Sequence, residues 1–215
     1  MFEPKREKNE HKTMVGYIPH GHNYNVFKKL DSIEDMNAIQ ELRTRMFGEH
    51  ESDVKFVVLF NNRNIRRKNP GDVILAFQKF VNDLPADERK SVRMILHTQP
   101  RDENGTDIPA IIRDLCSDVA ENIIFSHTRV DLYALNRIYN VADVILTLSD
   151  NEGFGLSTHE AMLAEKMVVA TVTGGLQDQM GFEDEHGVVL DEDIHYRKEW
   201  GSNSDGTYQK HGEWC

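Results

Sequence analysis

Two segments of this sequence carry residue types, at short spacing, that could handle a phosphorylated ligand. The first is S-D-N-E-G-F-G-L-S-T-H-E-A-M, Ser149–Met162. It follows an apolar run that ends at Leu148, and a helical pattern opens near Gly155. A helix start leaves its first amides without internal partners and carries partial positive charge. Gly153 and Gly155 would let a ligand approach the main chain, so the segment is a candidate anion cradle. Glu152 lies in the loop and Glu160 one to two turns into the helix, where both carboxylates could accept hydrogen bonds from sugar or ribose hydroxyls. Spacing alone is weak support, since the chain has 36 acidic residues in 215 and such a pair arises easily by accident. The competing reading is a capping residue and a solvated helix face.

The second segment is N-N-R-N-I-R-R-K-N-P-G-D, Asn61–Asp72, again directly after an apolar run. Arg63, Arg66, Arg67 and Lys68 crowd together in a chain whose formal net charge is −11. Arginine forks onto phosphate oxygens and lysine supplies a compact charge. Read alone, the run could equally be a solvated loop offsetting local acidity. Its place after a strand, like that of the first segment, favours a shared site.

The elements that must position these segments are short. Apolar runs at Phe56–Phe60, Val92–Leu96, Asn122–Phe125, Val144–Leu148 and Val168–Val172 predict strands. Between them lie helical patterns. Asp72–Asn82 sets Val73, Ala76, Phe77 and Phe80 on one face, and Ile108–Cys116 follows. Asp131–Val141 aligns Leu132, Leu135, Ile138 and Tyr139, and Leu156–Glu165 is the last. Alternating strands and helices with continuously apolar strands predict an α/β fold, a Rossmann-like parallel sheet with helices on both faces. Such sheets bind ligands at the C-terminal ends of their strands. Residues 1–27 read as a polar tail and an extended linker, 28–190 as the Rossmann-like domain, and 191–215 as an irregular polar tail. The charged 28–53 stretch reads as a helix with a turn.

The run from Leu135 to Met162, continuing into V-V-A-T-V-T-G-G at Val168–Gly175, resembles the C-terminal half of GT-B glycosyltransferases of the retaining, glycogen-synthase-like group 1 family. Glu152 and Glu160 match that family's E-x7-E motif, with F-G-L between them. Arg63 and Lys68 match the Arg and Lys that follow the domain's first strand. Y-I-P-H-G-H-N-Y-N-V-F resembles the interdomain linker, and the match runs from about Val15 to Gly187.

The resemblance implies roles. Arg63 and Lys68 would hold the donor diphosphate, replacing the metal that other transferases need. Phe154, Gly155 and Leu156 would present backbone groups to the phosphate and donor. Glu152 would contact the transferred sugar, Glu160 the ribose hydroxyls, and Val130, within S-H-T-R-V, the base. Gly174 and Gly175 match a loop near the domain cleft. The implied activity is transfer of a sugar from a nucleotide-diphosphate sugar to an acceptor hydroxyl with retention, without a metal cofactor. The implied partners are the donor, an acceptor, and an N-terminal acceptor-binding domain that is expected to be missing from this chain. A sugar-nucleotide epimerase of the same fold is disfavoured by E-G-F-G-L-x3-E; a nucleotide-sugar-binding module without activity of its own is the rival from another class.

Departures from the family pattern are local. Asn62 and Asn69 stand where glycine is common, so the shape of the phosphate loop is open. Glu165 and Met167 stand where the family has Gly and Pro, so the last helix must end without its usual cap.

Composition limits the other possibilities. Net acidity argues against a nucleic-acid partner and an anionic membrane surface. No apolar run approaches the ~18 residues of a membrane span, and the N-terminus lacks a signal-peptide core, so cytoplasm is the expected setting. Cys116 and Cys215 offer no disulfide framework and no metal spacing. Ten histidines are scattered without an i, i+4 pair. His20 and His22 sit in the linker, His97 and His127 fall on the rim after strands, and His159 reads as packing or facing solvent. Asp191 and Asp193 read as a solvated acidic run. Trp200, Trp214, Tyr196 and Tyr208 could stack on sugar or pack under another domain.

Overall fold

The computed structural model describes residues 20–171, 173–180, 182–183 and 189–190. Helix α1 (Ile33–Phe47) precedes β1 (Phe56–Asn61), α2 (Pro70–Asp83), β2 (Val92–His97), α3 (Ile108–Leu115) and β3 (Ile123–Phe125). Then come α4 (Leu132–Val141), β4 (Val144–Thr147), α5 (Leu156–Leu163), β5 (Met167–Ala170) and α6 (Gln177–Met180). Two further short strands, β6 (Phe182–Glu183) and β7 (Val189–Leu190), pair antiparallel as a separate ribbon that the sequence pattern did not indicate.

All five main strands are parallel, in the order β3-β2-β1-β4-β5. This is the α/β sheet expected from the sequence. Strand alternation splits its core in two. Val57, Leu59, Ile95, Ile145 and Val168 face α1, α4 and α5, whereas Val58, Phe60, Met94, Leu96 and Val144 face α2 and α3. Both faces are therefore covered, which explains why the strands are apolar without a polar face. The chain winds outward from β1 to β3, returns through α4, and inserts β4 on the other side of β1. Beside β1 and β4, successive connections thus leave in opposite directions, and open α/β sheets leave a crevice at such a point.

Helix starts follow their sequence signals. The side chains of Ser32, Asp107 and Asp131 accept the amides of Asp35, Ala110 and Ala134. Two predicted stripes are corrected by packing. In α2 the buried face is Val73, Ile74, Phe77 and Val81, while Ala76 and Phe80 lie outside it; the Phe80 ring instead leans on Phe56 at 5.9 Å. In α4 Leu132 is exposed, and the buried set includes Asn136 and Asn140.

Those asparagines have a clear task. Asn136 Nδ2 and Asn140 Nδ2 each donate to the Lys28 carbonyl at 3.0 Å, and Asn140 Oδ1 accepts the Leu30 amide at 3.0 Å. They strap the chain entering the domain to α4. The extended linker expected over Val15–Phe27 is corrected within residues 20–27, where the Val26 and Phe27 amides both turn back to the Asn23 carbonyl. Residues 15–19, Val172 and the whole 191–215 tail, with its aromatic and acidic residues, lie outside the described residues.

Candidate functional site

The loops after β1 and β4 meet at the crevice. After β1 the chain makes a single tight turn at Arg66–Lys68, and Asn69 takes a left-handed conformation (φ 47°, ψ 48°) before Pro70 opens α2. Asparagine tolerates that region better than most residues, so it can stand where the family uses glycine. Its side chain then does what glycine could not: Nδ2 donates to the Leu148 carbonyl at 2.9 Å and to Asp150 Oδ1 at 2.6 Å. The Asp150 amide returns a hydrogen bond to the Arg67 carbonyl at 2.8 Å. Asn62, the other departure, donates to Thr147 Oγ1 at 2.9 Å at the end of β4.

Asn64 anchors the basic loop from below. It is fully buried; Nδ2 donates to the Thr106 and Gln99 carbonyls at 2.7 and 3.1 Å, and Oδ1 accepts the Thr106 amide at 3.0 Å. Gly105 packs so closely that a Cβ there would lie 2.1 Å from the Asn64 carbonyl oxygen.

Held this way, the loop delivers Lys68 to Glu152. The two side chains form an ion pair, each less than a tenth exposed. Arg67 joins them, its Nη1 lying 3.5 Å from the other Glu152 oxygen and also bonding the Asn151 carbonyl. Burial alone would raise the Glu152 carboxyl, but Lys68 and Arg67 together hold it below the usual glutamate value. Arg63 is placed differently. Its guanidinium is largely exposed and forks onto Asp102 at 2.9 and 3.3 Å, away from the Lys68–Glu152 contact. Arg67 is the basic residue that sequence reasoning did not single out, although it lay in the run that drew attention.

The Glu152–Leu156 loop is shaped by close backbone packing. Gly155 sits at φ 87° and caps α5, and a Cβ there would meet Leu176 at 2.3 Å. Its smallness therefore serves packing within the chain, whereas a Cβ at Gly153 would meet open space. Gly174 and Gly175 press on the same loop; the Gly175 amide donates to the Glu152 carbonyl at 2.9 Å. Phe154 is half-buried and Leu156 exposed, at the head of α5.

Glu160 lies on α5, 8% exposed. Its Oε2 accepts the Tyr139 hydroxyl at 2.6 Å, and that hydroxyl accepts Asn61 Nδ2 at 2.7 Å. Burial raises the Glu160 carboxyl above its ordinary value, opposed in part by the Tyr139 bond. Burial and the facing carboxylate push the Tyr139 phenol well up, so it keeps its proton. His22 Nδ1 stands 3.8 Å from Glu160 Oε1. His22 meets His159 edge-on at 5.1 Å, and His20 stacks on Phe154 at 5.0 Å. Burial first, then the neighbouring histidines, lowers His22, and burial likewise lowers His159. The sequence had separated these three histidines; the fold brings them together, with His20 and His159 against Phe154 and His22 against both of them. His97, on β2, is tied to Ser126 at 2.9 Å and lowered by burial, and Cys116 is buried with a raised thiol.

Val130 lies apart from these groups. It lines a groove of about 510 Å³ between α1, β3 and α4, whose lining does not include Lys68, Glu152 or Glu160. Among the described residues no group of three or more His, Cys, Asp or Glu is arranged to hold a metal. Among them, too, no helix is long and apolar enough to cross a membrane.

The doubly wound sheet, with its two loops meeting beside β1 and β4, defines one Rossmann-like half of a GT-B fold. The sequence pattern of the family Glycosyl transferases group 1 matches residues 55–195, and the chain belongs to that family. Trehalose synthases of Thermococcus litoralis and Pyrococcus furiosus are each 31% identical over 109 residues, which is 51% of this chain and 26% of theirs. The chain thus spans about a quarter of the length of these relatives. Among solved structures, the C-terminal domain of a glycosyl transferase group 1 family protein from Francisella tularensis superposes with a TM-score of 0.58 at 19% identity, covering 83% of this chain and 84% of that one. An Anabaena protein solved in complex with UDP-glucose gives 0.53 at 23% identity, over 74% of this chain and 38% of its own. Both likenesses establish the fold.

Proposed function

We propose that this chain binds a nucleotide-diphosphate sugar and acts as the donor-binding half of a glycosyltransferase that moves the sugar to an acceptor hydroxyl with retention. The observation that carries the reading is the convergence of Lys68 and Arg67 on buried Glu152, beside the head of α5. When the bond between the anomeric carbon and the diphosphate breaks, the electron pair leaves on the phosphate oxygen. In this reading Lys68, Arg67 and the first amides of α5 meet that developing charge, and donors held by the fold would stabilise it with little reorganisation. Arg63 can join them by releasing Asp102, because solvent screens an exposed guanidinium–carboxylate pair and leaves it only weakly held together. These cations fill the role that a divalent metal has in other transferases, so the reading requires none.

Glu152, once Lys68 turns to phosphate, offers its carboxylate to hydroxyls of the transferred sugar. Glu160 accepts from the ribose, and Phe154, Gly155 and Leu156 present backbone to the donor. Val130 meets the base from the β3–α4 loop. The acceptor, and the N-terminal domain that the family pairs with this half, are the further partners the reading requires. The test is Lys68→Ala titrated with UDP and with uridine, and with the adenine and guanine counterparts. The variant is expected to lose far more affinity for the diphosphate than for the nucleoside. Equal losses for both would contradict the phosphate role.

A further inference from the structure

The Glu160 carboxylate is held by a relay that begins on a different layer of the fold. Asn61 is the last residue of β1, the strand that feeds the basic loop. Its Nδ2 donates to the Tyr139 hydroxyl, 2.7 Å away on α4. An amide nitrogen has only hydrogens to offer, so the phenol oxygen must accept from Asn61. Its own proton is then free to point only the other way, to Glu160 Oε2 at 2.6 Å. Tyr139 is fully buried, and its ring is fixed edge-on to Phe27 at 6.2 Å. With Asn61 donating, the relay has one polarity, running from Asn61 through the phenol to Glu160. One carboxylate oxygen is engaged by the phenol, and the other, Oε1, remains as an acceptor; among the described residues the charged group facing it is His22, with Nδ1 at 3.8 Å.

We infer that Asn61 and Tyr139 are positioning residues that aim Glu160 Oε1 at the ribose hydroxyls of the donor and so make the site select ribonucleotides. Neither touches the ligand; both act through Glu160. The inference rests on the donor-site reading above, in which Glu160 is the ribose acceptor. It adds that an isolated glutamate at this place would not suffice. Without the phenol, the buried carboxylate loses its hydroxyl donor on Oε2. It is then drawn to His22 or to its protonated form, and in either state it stops accepting from ribose in a fixed direction. The order of polarity also links the two loops, because a shift of the β1 end that breaks the Asn61 contact frees the phenol to rotate.

The experiment compares UDP, ADP and GDP with their 2′,3′-dideoxy forms by calorimetric titration of the wild-type chain and three variants. Wild type is expected to bind its preferred ribonucleotide about tenfold more tightly than the dideoxy form, the order of one hydrogen bond to a charged group. In Tyr139→Phe that ratio should fall to near one, with affinity for the dideoxy form unchanged. Asn61→Ala, at the half-exposed strand end, should reduce the ratio partly. Because a merely structural defect would weaken both forms alike, the ratio separates positioning from folding. If Glu160→Ala abolishes the discrimination while Tyr139→Phe and Asn61→Ala keep it in full, the relay is overturned and the donor-site reading stands. If none of the three nucleotides binds the wild-type chain, both fall together.

Discussion

Removing Lys68 should destabilise the fold in a way that depends on pH, and the structure sets both size and sign. Lys68 and Glu152 are each less than a tenth exposed and form a direct ion pair. Deleting one partner of a buried pair typically costs about 3–5 kcal/mol, because the other charge is stranded. Two features lower the figure for Lys68→Ala. Arg67 stays 3.5 Å from the other Glu152 oxygen, and it is half exposed, so its help is partial. Burial also disfavours the Lys68 ammonium itself, so its loss returns some desolvation energy. A net destabilisation of about 2 kcal/mol near neutral pH follows, equivalent to roughly 4–8 °C in Tm for a chain of this size. In the wild type the Glu152 pKa is held low, so its stabilisation is present above the ordinary carboxylate range and fades as pH falls through the folded value. In the variant Arg67 opposes burial only in part, so the Glu152 carboxyl takes up a proton at higher pH than in the wild type and the stranded charge disappears in acid. The deficit should therefore be largest near neutral pH and clearly smaller at about pH 4, where the variant's Glu152 is protonated while the wild-type pair still contributes in part. Lys68→Met combined with Glu152→Gln should recover much of the loss. Urea unfolding of the wild type, Lys68→Ala and the double variant at both pH values checks this. A Lys68→Ala variant as stable as wild type, or a deficit of equal size at both pH values, would refute the reasoning.

Other outcomes follow from particular contacts. Asn64→Ala, which strands the Thr106 amide and the carbonyls that Asn64 Nδ2 serves, should cost about 2–4 kcal/mol by thermal denaturation and loosen the basic loop enough to weaken diphosphate binding. Glu165→Gly should stabilise the chain by about 0.5–1 kcal/mol, because Glu165 adopts φ 56° and the Lys29 pair it gives up is exposed; unchanged or lower stability in urea would contradict this. Nucleotide affinity should fall on acidification beginning above the ordinary glutamate range, since burial raises Glu160 and its protonated form is a poorer acceptor. A pH titration of affinity should lose that step in Glu160→Gln.

The sheet was legible because each strand is apolar on both faces and each helix carries a cap or a Gly or Pro signal at its edges. Where stripes were misjudged, tertiary partners decided. Phe80 left the core for Phe56, and Leu132 lies at the open end of α4. Two of the departures from the family pattern, Asn69 and Glu165, could be resolved only in three dimensions. Asn69 takes the left-handed turn that glycine would supply and adds two hydrogen bonds. Glu165 ends α5 in the same region, with the Lys166 amide on the Ala161 carbonyl at 3.0 Å and its own on the Met162 carbonyl at 2.9 Å, so the Schellman geometry survives without glycine. Candidate acidic residues were visible from their loop and helix positions, but their partners were not. Tyr139 looked like one more member of an apolar stripe, and nothing in the spacing tells that its hydroxyl reaches Glu160 21 residues on. Asn64 gave no signal at all, because a buried asparagine is distinguished only by the carbonyls around it. Arg63 shows the converse: its position matches the family, yet its side chain is committed to Asp102, 39 residues away.

Donor binding is tested most directly by calorimetric titration of the chain with UDP, GDP and ADP, first without and then with Mg²⁺. The expected result is metal-independent binding of one nucleotide, lost in Lys68→Ala and weakened in Arg67→Ala and Arg63→Ala. No binding of any of the three, or binding that appears only with Mg²⁺ and survives removal of Lys68, would contradict the basic loop as the diphosphate site.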